Sequence, residues 1–244
     1  MDGITDFHSH ILPGIDDGSA SVEESIALLS MEAEQGIYQV VATTHFYAGY
    51  DSPERFLENR DRAEALLRAE MAKHDGLPEL LIGAEVYFFR GMSESEFLPQ
   101  LTIREKSCIL IEMPPAPWQT EHFWELEKIW EYRGIVPIIA HVDRYIGPFR
   151  TWGIPQRLAQ LPVMVQANGS FFLERGTSAM AMRMLKADQI HLLGSDCHNL
   201  SSRRPNLANA VDRIQAKLGQ DALARIREHQ QKIMSMEATF SLGV

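Results

Sequence analysis

The sequence predicts an α/β fold, a distorted seven-stranded (β/α) barrel of the TIM type. Three observations predict it. Short apolar runs alternate with longer amphipathic ones along all 244 residues. Seven of the short runs have strand character, one fewer than a regular barrel needs, hence the expected distortion. Polar side chains able to bind an ion or a phosphate close six of the seven, and a barrel carries its chemistry at the C-terminal ends of its strands. No repeat, low-complexity tract or linker interrupts the pattern, so residues 1–244 are expected to form a single domain.

The expected strands are Ile4–His8, Gln39–Thr43, Leu80–Glu85, Cys108–Glu112, Val136–Ala140, Val163–Asn168 and His191–Ser195. Ser21 with Glu24 forms a capping box ahead of Ile26, Leu28 and Leu29, and so starts the first helix. Ser52-Pro53 places a cap and a first-turn proline before a long charged helix running towards His74. Further helices are expected over Gln119–Tyr132, Arg203–Lys217 and Asp221–Met234.

Composition narrows the function. The hydrophobic fraction of 45% and charged fraction of 23% are those of a globular protein. No apolar run approaches the roughly 18 residues of a membrane span, and MDGITDFHSH has no secretory character, so no membrane insertion is expected. Cys108 and Cys197 cannot form a disulfide framework, which suits a reducing cytoplasm. A net charge of −10 argues against nucleic acid as partner. A phosphate ligand would need a local source of positive charge, which bound metal ions would provide. The oligomeric state is left open.

The strand ends hold the chemistry. Residues two apart in an extended segment point to one side, so His8 and His10 can grip one ion, with Asp6 on the same face to orient a ligand. The later ends supply His45, Glu85, Glu112, His141 with Arg144, and Asp196 with His198. The sixth, ending in Asn168, offers no strong ligand. Singly, a carboxylate closing a strand reads as a helix cap, and His74, His122, His191 and His229 read as exposed or hydrogen-bonded histidines. Jointly, so many acids and imidazoles after apolar strand cores would repel and desolvate one another. Metal ions remove that cost. The donors are nitrogen and oxygen without thiolate, which suits Mn, Fe or Zn and disfavours a cysteine-rich structural site.

DFHSHILPGIDDG near the start and GSDCHNLSSR near the end, with the strand ends between them, resemble the PHP (polymerase and histidinol phosphatase) superfamily. Within it the chain is most similar to the bacterial manganese-dependent protein tyrosine phosphatases of capsule and exopolysaccharide operons. The resemblance implies a PHP-type barrel binding three divalent ions, with Mn favoured. It implies that His8, His10, Glu85 and Asp196 hold the first ion and that Glu85 bridges to a second, completed by Glu112 and His141. Asp17, His45 and His198 would hold the third. Arg144 and Arg203 match the positions that grip the substrate phosphate. Thr44, Val142-Asp143 and Cys197 stand where the family usually has proline, Pro-Glu and alanine. The implied substrate is a phosphotyrosine protein, the tail of a bacterial tyrosine kinase that regulates polysaccharide export.

The expected reaction is phosphomonoester hydrolysis by a hydroxide formed from a water shared between ions. Arg144 and Arg203 would neutralise the phosphoryl oxygens, with Asp196 and His45 also in the catalytic set. His45, His198 and a metal-bound water are the alternatives for the general acid. Phe46, Tyr47, Tyr50, Tyr145, Phe149 and Arg150 are placed to pack against a phosphotyrosine ring or its flanks, or to serve as ordinary loop packing. Two other readings remain: a small-molecule phosphatase of the histidinol-phosphate type, and a silent metal-binding regulator. Cys197 and Arg203 have the spacing of cysteine-dependent phosphatases, but the loop between them lacks glycine and Asp196 would raise the thiol pKa. An amidohydrolase would want a mid-barrel lysine, and none sits at an expected strand end.

Overall fold

Apolar runs too short for a helix fold here as strands, and every ladder between the named strands is parallel. The computed structural model describes residues 3–146 and 153–237. The first part of the chain gives β1 (Ile4–Ser9), α1 (Val22–Glu34), β2 (Ile37–Ala42), β3 (His45–Phe46), α2 (Pro53–Met71), β4 (Glu79–Ile82) and β5 (Glu85–Tyr87). Then come β6 (Cys108–Glu112), α3 (Thr120–Arg133), β7 (Val136–Ile139), α4 (Ile154–Leu158), β8 (Met164–Asn168) and α5 (Gly169–Leu173). Last are α6 (Ser178–Lys186), β9 (Leu192–Gly194), α7 (Leu207–Leu218) and α8 (Gln220–Met234).

The strands form a mixed α/β architecture around a curled parallel sheet. The expected strand Leu80–Glu85 is broken into β4 and β5, and the expected strand Gln39–Thr43 is followed, past its end, by a further short strand, β3. β2 pairs with β1 on one side and β4 on the other in a three-stranded sheet, while β3 and β5, which follow β2 and β4, open a six-stranded sheet of order β3-β5-β6-β7-β8-β9. The break between β2 and β3 falls at Thr43-Thr44 and that between β4 and β5 at Gly83-Ala84, where Glu85 N–H reaches back to the carbonyls of Thr43 and Thr44. His45 and Glu85 are the residues that restart the pairing, opposite each other in register. At the other edge, β1 meets the end of β9. Asp196 N–H donates to the His8 carbonyl at 2.8 Å and His10 N–H to the Cys197 carbonyl at 2.9 Å.

Alternation along the strands sorts the core into two clusters. Cys108, Leu110, Val136, Ile138 and Phe7 belong to the smaller one, while Ile109, Ile111 and Ile139 join the larger cluster that includes Leu28 and Leu29 of α1. The β1–β2 register slips twice, after Ile4 and after Asp6, and at the second slip the strict alternation expected for β1 fails. Asp6 pairs with Val40 and Ser9 with Ala42, so Phe7 and His8 together face one residue, a β-bulge. Asp6 therefore does not share a face with His8 and His10. It turns to Glu32 of α1 and to Ser195, and it orients His8 through the backbone, accepting the His8 N–H at 3.0 Å.

Helix starts follow their caps. Ser21 accepts the Glu24 N–H and Ser52 the Arg55 N–H, while the Glu24 carboxylate accepts from Ala20 N–H, one residue before the cap, so the return bond of the expected capping box goes to the neighbouring residue instead. The helix expected from Arg203 begins only at Leu207. Pro205 disfavours helical geometry just before it, and Arg203 is instead tied to the loop, its carbonyl accepting from His198 N–H. The short helices α4, α5 and α6 have no counterpart in the sequence-based expectation.

Candidate metal and phosphate site

The strand ends converge around Glu85. Its carboxylate is buried, with Oε2 at 3.2 Å from His8 Nε2, 3.3 Å from His10 Nε2 and 3.0 Å from His45 Nδ1. Its other oxygen lies 2.8 Å from His141 Nε2. Asp196 Oδ1 stands 3.5 Å from His8 Nε2 and 3.6 Å from His10 Nε2. Asp17, largely exposed on the loop after β1, reaches His45 at 3.4 Å and His198 at 3.3 Å. Glu112 closes the opposite margin, 3.6 Å from His141. The nine side chains expected as ligands thus all meet at one place.

The histidines are set up as lone-pair donors. In four of the five, a hydrogen-bonding group faces Nδ1 and leaves Nε2 turned inward. His8 Nδ1 faces Gln166 Oε1 at 3.3 Å, His10 Nδ1 faces Asp16 Oδ2 at 2.8 Å, and His198 Nδ1 faces the Asp196 carbonyl at 3.0 Å. His141 Nδ1 lies 3.2 Å from the Tyr145 hydroxyl. An acceptor at Nδ1 fixes the proton there and exposes the Nε2 lone pair, which is how metal-binding imidazoles are held. Glu85 Oε2, His45 Nδ1 and His198 Nε2 are shut off from solvent with no well-formed hydrogen bond among the described residues. Three groups here hold their donor atoms within 4.8 Å of one another: His10-Asp17-His45-His198, His8-Glu85-His141 and His8-His10-Asp196. These residues fit divalent metal ions.

The electrostatics follow from this crowding. Burial disfavours the Asp196 carboxylate, yet His8, His10 and Arg144 overcome it and hold its pKa well below the usual range. Burial also opposes charge on His10, but Asp16 and Glu85 push its pKa up to about 10. For His198, burial and the neighbouring His10 and Arg203 bring it down to about 4. The two arginines converge on one carboxylate: Arg144 Nη2 bonds Asp196 Oδ2, and Arg203 Nη2 bonds Asp196 Oδ1 at 2.8 Å. Both arginine side chains stay partly exposed, at 42% for Arg144 and 38% for Arg203.

Residues 4–235 match the family model for capsular polysaccharide synthesis, CpsB/CapC. The chain belongs to the CpsB/CapC family.

This CpsB/CapC chain is 31% identical to the tyrosine-protein phosphatase CpsB of Streptococcus pneumoniae, over 88% of this chain and 90% of that protein. It is 25% identical to the tyrosine-protein phosphatase YwqE of Bacillus subtilis, over 96% and 93%. A solved structure from work on YwqE and CpsB, described as metal-dependent tyrosine phosphatases, shares its fold with a TM-score of 0.79 at 22% identity, covering 97% and 96%. The histidinol phosphate phosphatase of Lactococcus lactis is a more distant fold relative, with a TM-score of 0.53 at 14% identity over 96% and 95%.

Several residues of the CpsB/CapC site escaped the sequence reading. Asp16 orients His10 and also accepts the His45 and Gly18 N–H groups. Gln166 accepts the His141 N–H at 2.6 Å besides facing His8, and Asn168 donates to Asp196 at 3.0 Å. A glutamine amid the apolar residues of β8 was the available signal, since a buried amide needs partners. Of the expected aromatic contacts, Phe46 is wholly buried against Phe56 and Phe97, so it belongs to the core. Tyr145 is likewise buried, and its hydroxyl accepts the Met113 N–H beside His141. Tyr47 and Tyr50 do lie near the mouth, while Phe149 and Arg150 fall outside the described residues. His74, His122, His191 and His229 lie apart from the site.

Cys197 is fully buried beside Asp6 and Glu32, and burial with these acids pushes its thiol pKa far up. A thiol so placed is no nucleophile.

Proposed function

We propose that this chain is a metal-dependent phosphomonoesterase that hydrolyses protein phosphotyrosine. The observation that carries the reading is Glu85, a buried carboxylate with one oxygen facing three imidazoles and the other a fourth. We read the fold as one PHP-type domain, a distorted seven-stranded barrel with β2–β3 and β4–β5 each counted as one bent strand. His8, His10, Glu85 and Asp196 would hold one divalent ion, Glu85, Glu112 and His141 a second, and Asp17, His45 and His198 a third, with Mn favoured over Fe or Zn. Bound there, such ions supply Lewis acidity and bring the pKa of water towards about 7.

The chain's own groups do the rest. Arg144 and Arg203 offer planar, permanently charged forks that match phosphoryl oxygens two at a time, which lysine cannot do. Gln166 and Asp16 fix His8 and His10 in the ligating tautomer, and Asn168 holds the second oxygen of Asp196. A phenolic leaving group has a pKa of about 10, so it departs with less proton assistance than an alkyl alcohol. The partner read from the family is a tyrosine kinase tail in capsule or exopolysaccharide synthesis, and the compartment is the cytoplasm. Among the described residues no helix is long and apolar enough to cross a membrane.

The test is hydrolysis of a phosphotyrosine peptide by chelator-stripped protein, with and without Mn²⁺. Turnover that appears only with the ion is expected. Inactivity on the peptide alongside activity on histidinol phosphate would move the reading to a small-molecule phosphatase; inactivity on both would leave a metal-binding regulator.

A further inference from the structure

The mouth of the candidate site has two unlike sides. On one, Arg144 and Arg203 converge on Asp196. On another stand Tyr47 and Tyr87, with ring centroids 5.6 Å apart and planes tilted by 37°. Tyr47 follows His45 by two residues, and its ring lies 5.4 Å from that imidazole. Tyr87 follows Glu85 by two residues and faces Glu112 in the ladder. Two-residue spacing on a strand carries a side chain to the same face, so Tyr87 rises from the face that presents Glu85. Both tyrosines remain partly exposed. Tyr50, 90% exposed, stands edge-on to Tyr47 at 6.5 Å.

A strip of three aromatic rings beside a dense charged cluster gives the site an apolar shelf. A phosphate ester whose non-bridging oxygens face the arginines and the histidine–carboxylate cluster must send its bridging oxygen and organic group elsewhere, and this shelf offers them an apolar surface beside His45 and Glu112. We propose that Tyr47 and Tyr87 form the wall that receives the aromatic ring of an aryl phosphate, and that Tyr50 extends it to the peptide around that ring. The inference rests on the phosphatase reading and deepens it by naming residues that select aryl over alkyl esters. A flat ring meets the two tilted rings face or edge on, in the geometries aromatic pairs prefer. The short aliphatic arm of phosphoserine has no such face to offer.

The experiment compares kcat/KM for phenyl phosphate and for β-glycerol phosphate with the Mn²⁺-loaded protein. The variants are Tyr47→Leu, Tyr87→Leu, their combination, and Tyr→Phe at each position. The double leucine variant is expected to lower the aryl-to-alkyl ratio roughly ten-fold, mainly through KM, as lost ring contacts of this kind require. The phenylalanine variants, which keep the ring, are expected to preserve the ratio. Tyr50→Ala is expected to raise KM for a phosphotyrosine peptide several-fold more than for phenyl phosphate. An unchanged ratio in the leucine variants overturns the inference, and so does a phenylalanine variant that loses selectivity. Wild-type protein inactive on both esters overturns the phosphatase reading itself.

Discussion

The carboxylate of Asp16 holds the ring of His10 in place, accepting from Nδ1 at 2.8 Å while it also accepts the His45 N–H. Burial disfavours this carboxylate, but the His10 hydrogen bond and charge bring its pKa down to about 2, so it stays ionised across the working range. Partners of this kind typically contribute 10–100-fold, roughly, to metal affinity. Asp16→Ala should therefore weaken Mn²⁺ binding by about that factor in calorimetric titration of stripped protein. Asp16→Asn, which keeps an accepting oxygen, should lose less. Equal affinity in wild type and Asp16→Ala would remove Asp16 from the site.

Arg144 and Arg203 both bond the Asp196 carboxylate. Arg203→Ala should lower kcat/KM on an aryl phosphate by about 100-fold, the usual scale for removing one preorganised donor. Arg203→Lys should recover little, because a point charge cannot replace the fork. Arg144→Ala should behave alike. Full turnover in either alanine variant would contradict the assignment.

Cys197→Ala should keep activity within about two-fold, since the thiol is buried and its pKa is raised. A thiol-directed reagent should leave the folded protein unlabelled at this position. Loss of turnover in Cys197→Ala, with folding intact, would reopen a cysteine mechanism.

His191 lies far from these groups, and its Nδ1 accepts the Val165 N–H. Burial and the neighbouring His229 bring its pKa down to about 4, against roughly 6.5 when unfolded. The folded form thus binds fewer protons, and its stability contribution, complete above pH 6.5, is lost as pH falls towards 4. Relative to wild type, His191→Gln should flatten the pH dependence of urea unfolding by about 1 kcal/mol between pH 7.5 and 5. Parallel curves would show that His191 does not titrate abnormally.

Glu32 has the opposite sign. Its buried carboxyl faces Asp6, and burial with that neighbour's charge raises its pKa well above normal. The folded state keeps a proton that the unfolded chain releases, so stability falls as pH rises between the two pKa values. Glu32→Gln should raise Tm at pH 8 and raise it less at pH 5. The reverse order would mean that Glu32 is ionised in the folded state.

The strand ends were legible in the sequence because each donor follows an apolar run whose period marks it as a strand. That placed His8, His45, Glu85, Glu112, His141 and Asp196 before any contact was known. Three features were not legible. The bulge at Phe7-His8 reverses Asp6, and nothing in DFHSH signals an extra residue in the ladder. The breaks at Thr43-Thr44 and Gly83-Ala84 divide one expected sheet into two, because local propensity does not reveal where a curled sheet changes partners. Asp16 and Gln166 act through histidines that fold next to them, and that proximity is tertiary. The helix wrongly begun at Arg203 shows the same limit from another side. Pro205 was visible, but the loop that captures Arg203 was not.

His141 and Asp196 both have left-handed backbone, with φ of 31° and 54°. For a residue with a side chain that geometry costs roughly 1–2 kcal/mol, whereas glycine adopts it freely. At these two positions the interests of the chain and of its chemistry are opposed. Selection for heat resistance alone, in nature or in the laboratory, would reward glycine at both and would discard a histidine and an aspartate from the heart of the molecule. The strain thus falls where this histidine meets Glu85 and this aspartate meets the two arginines, and relieving it would empty both places.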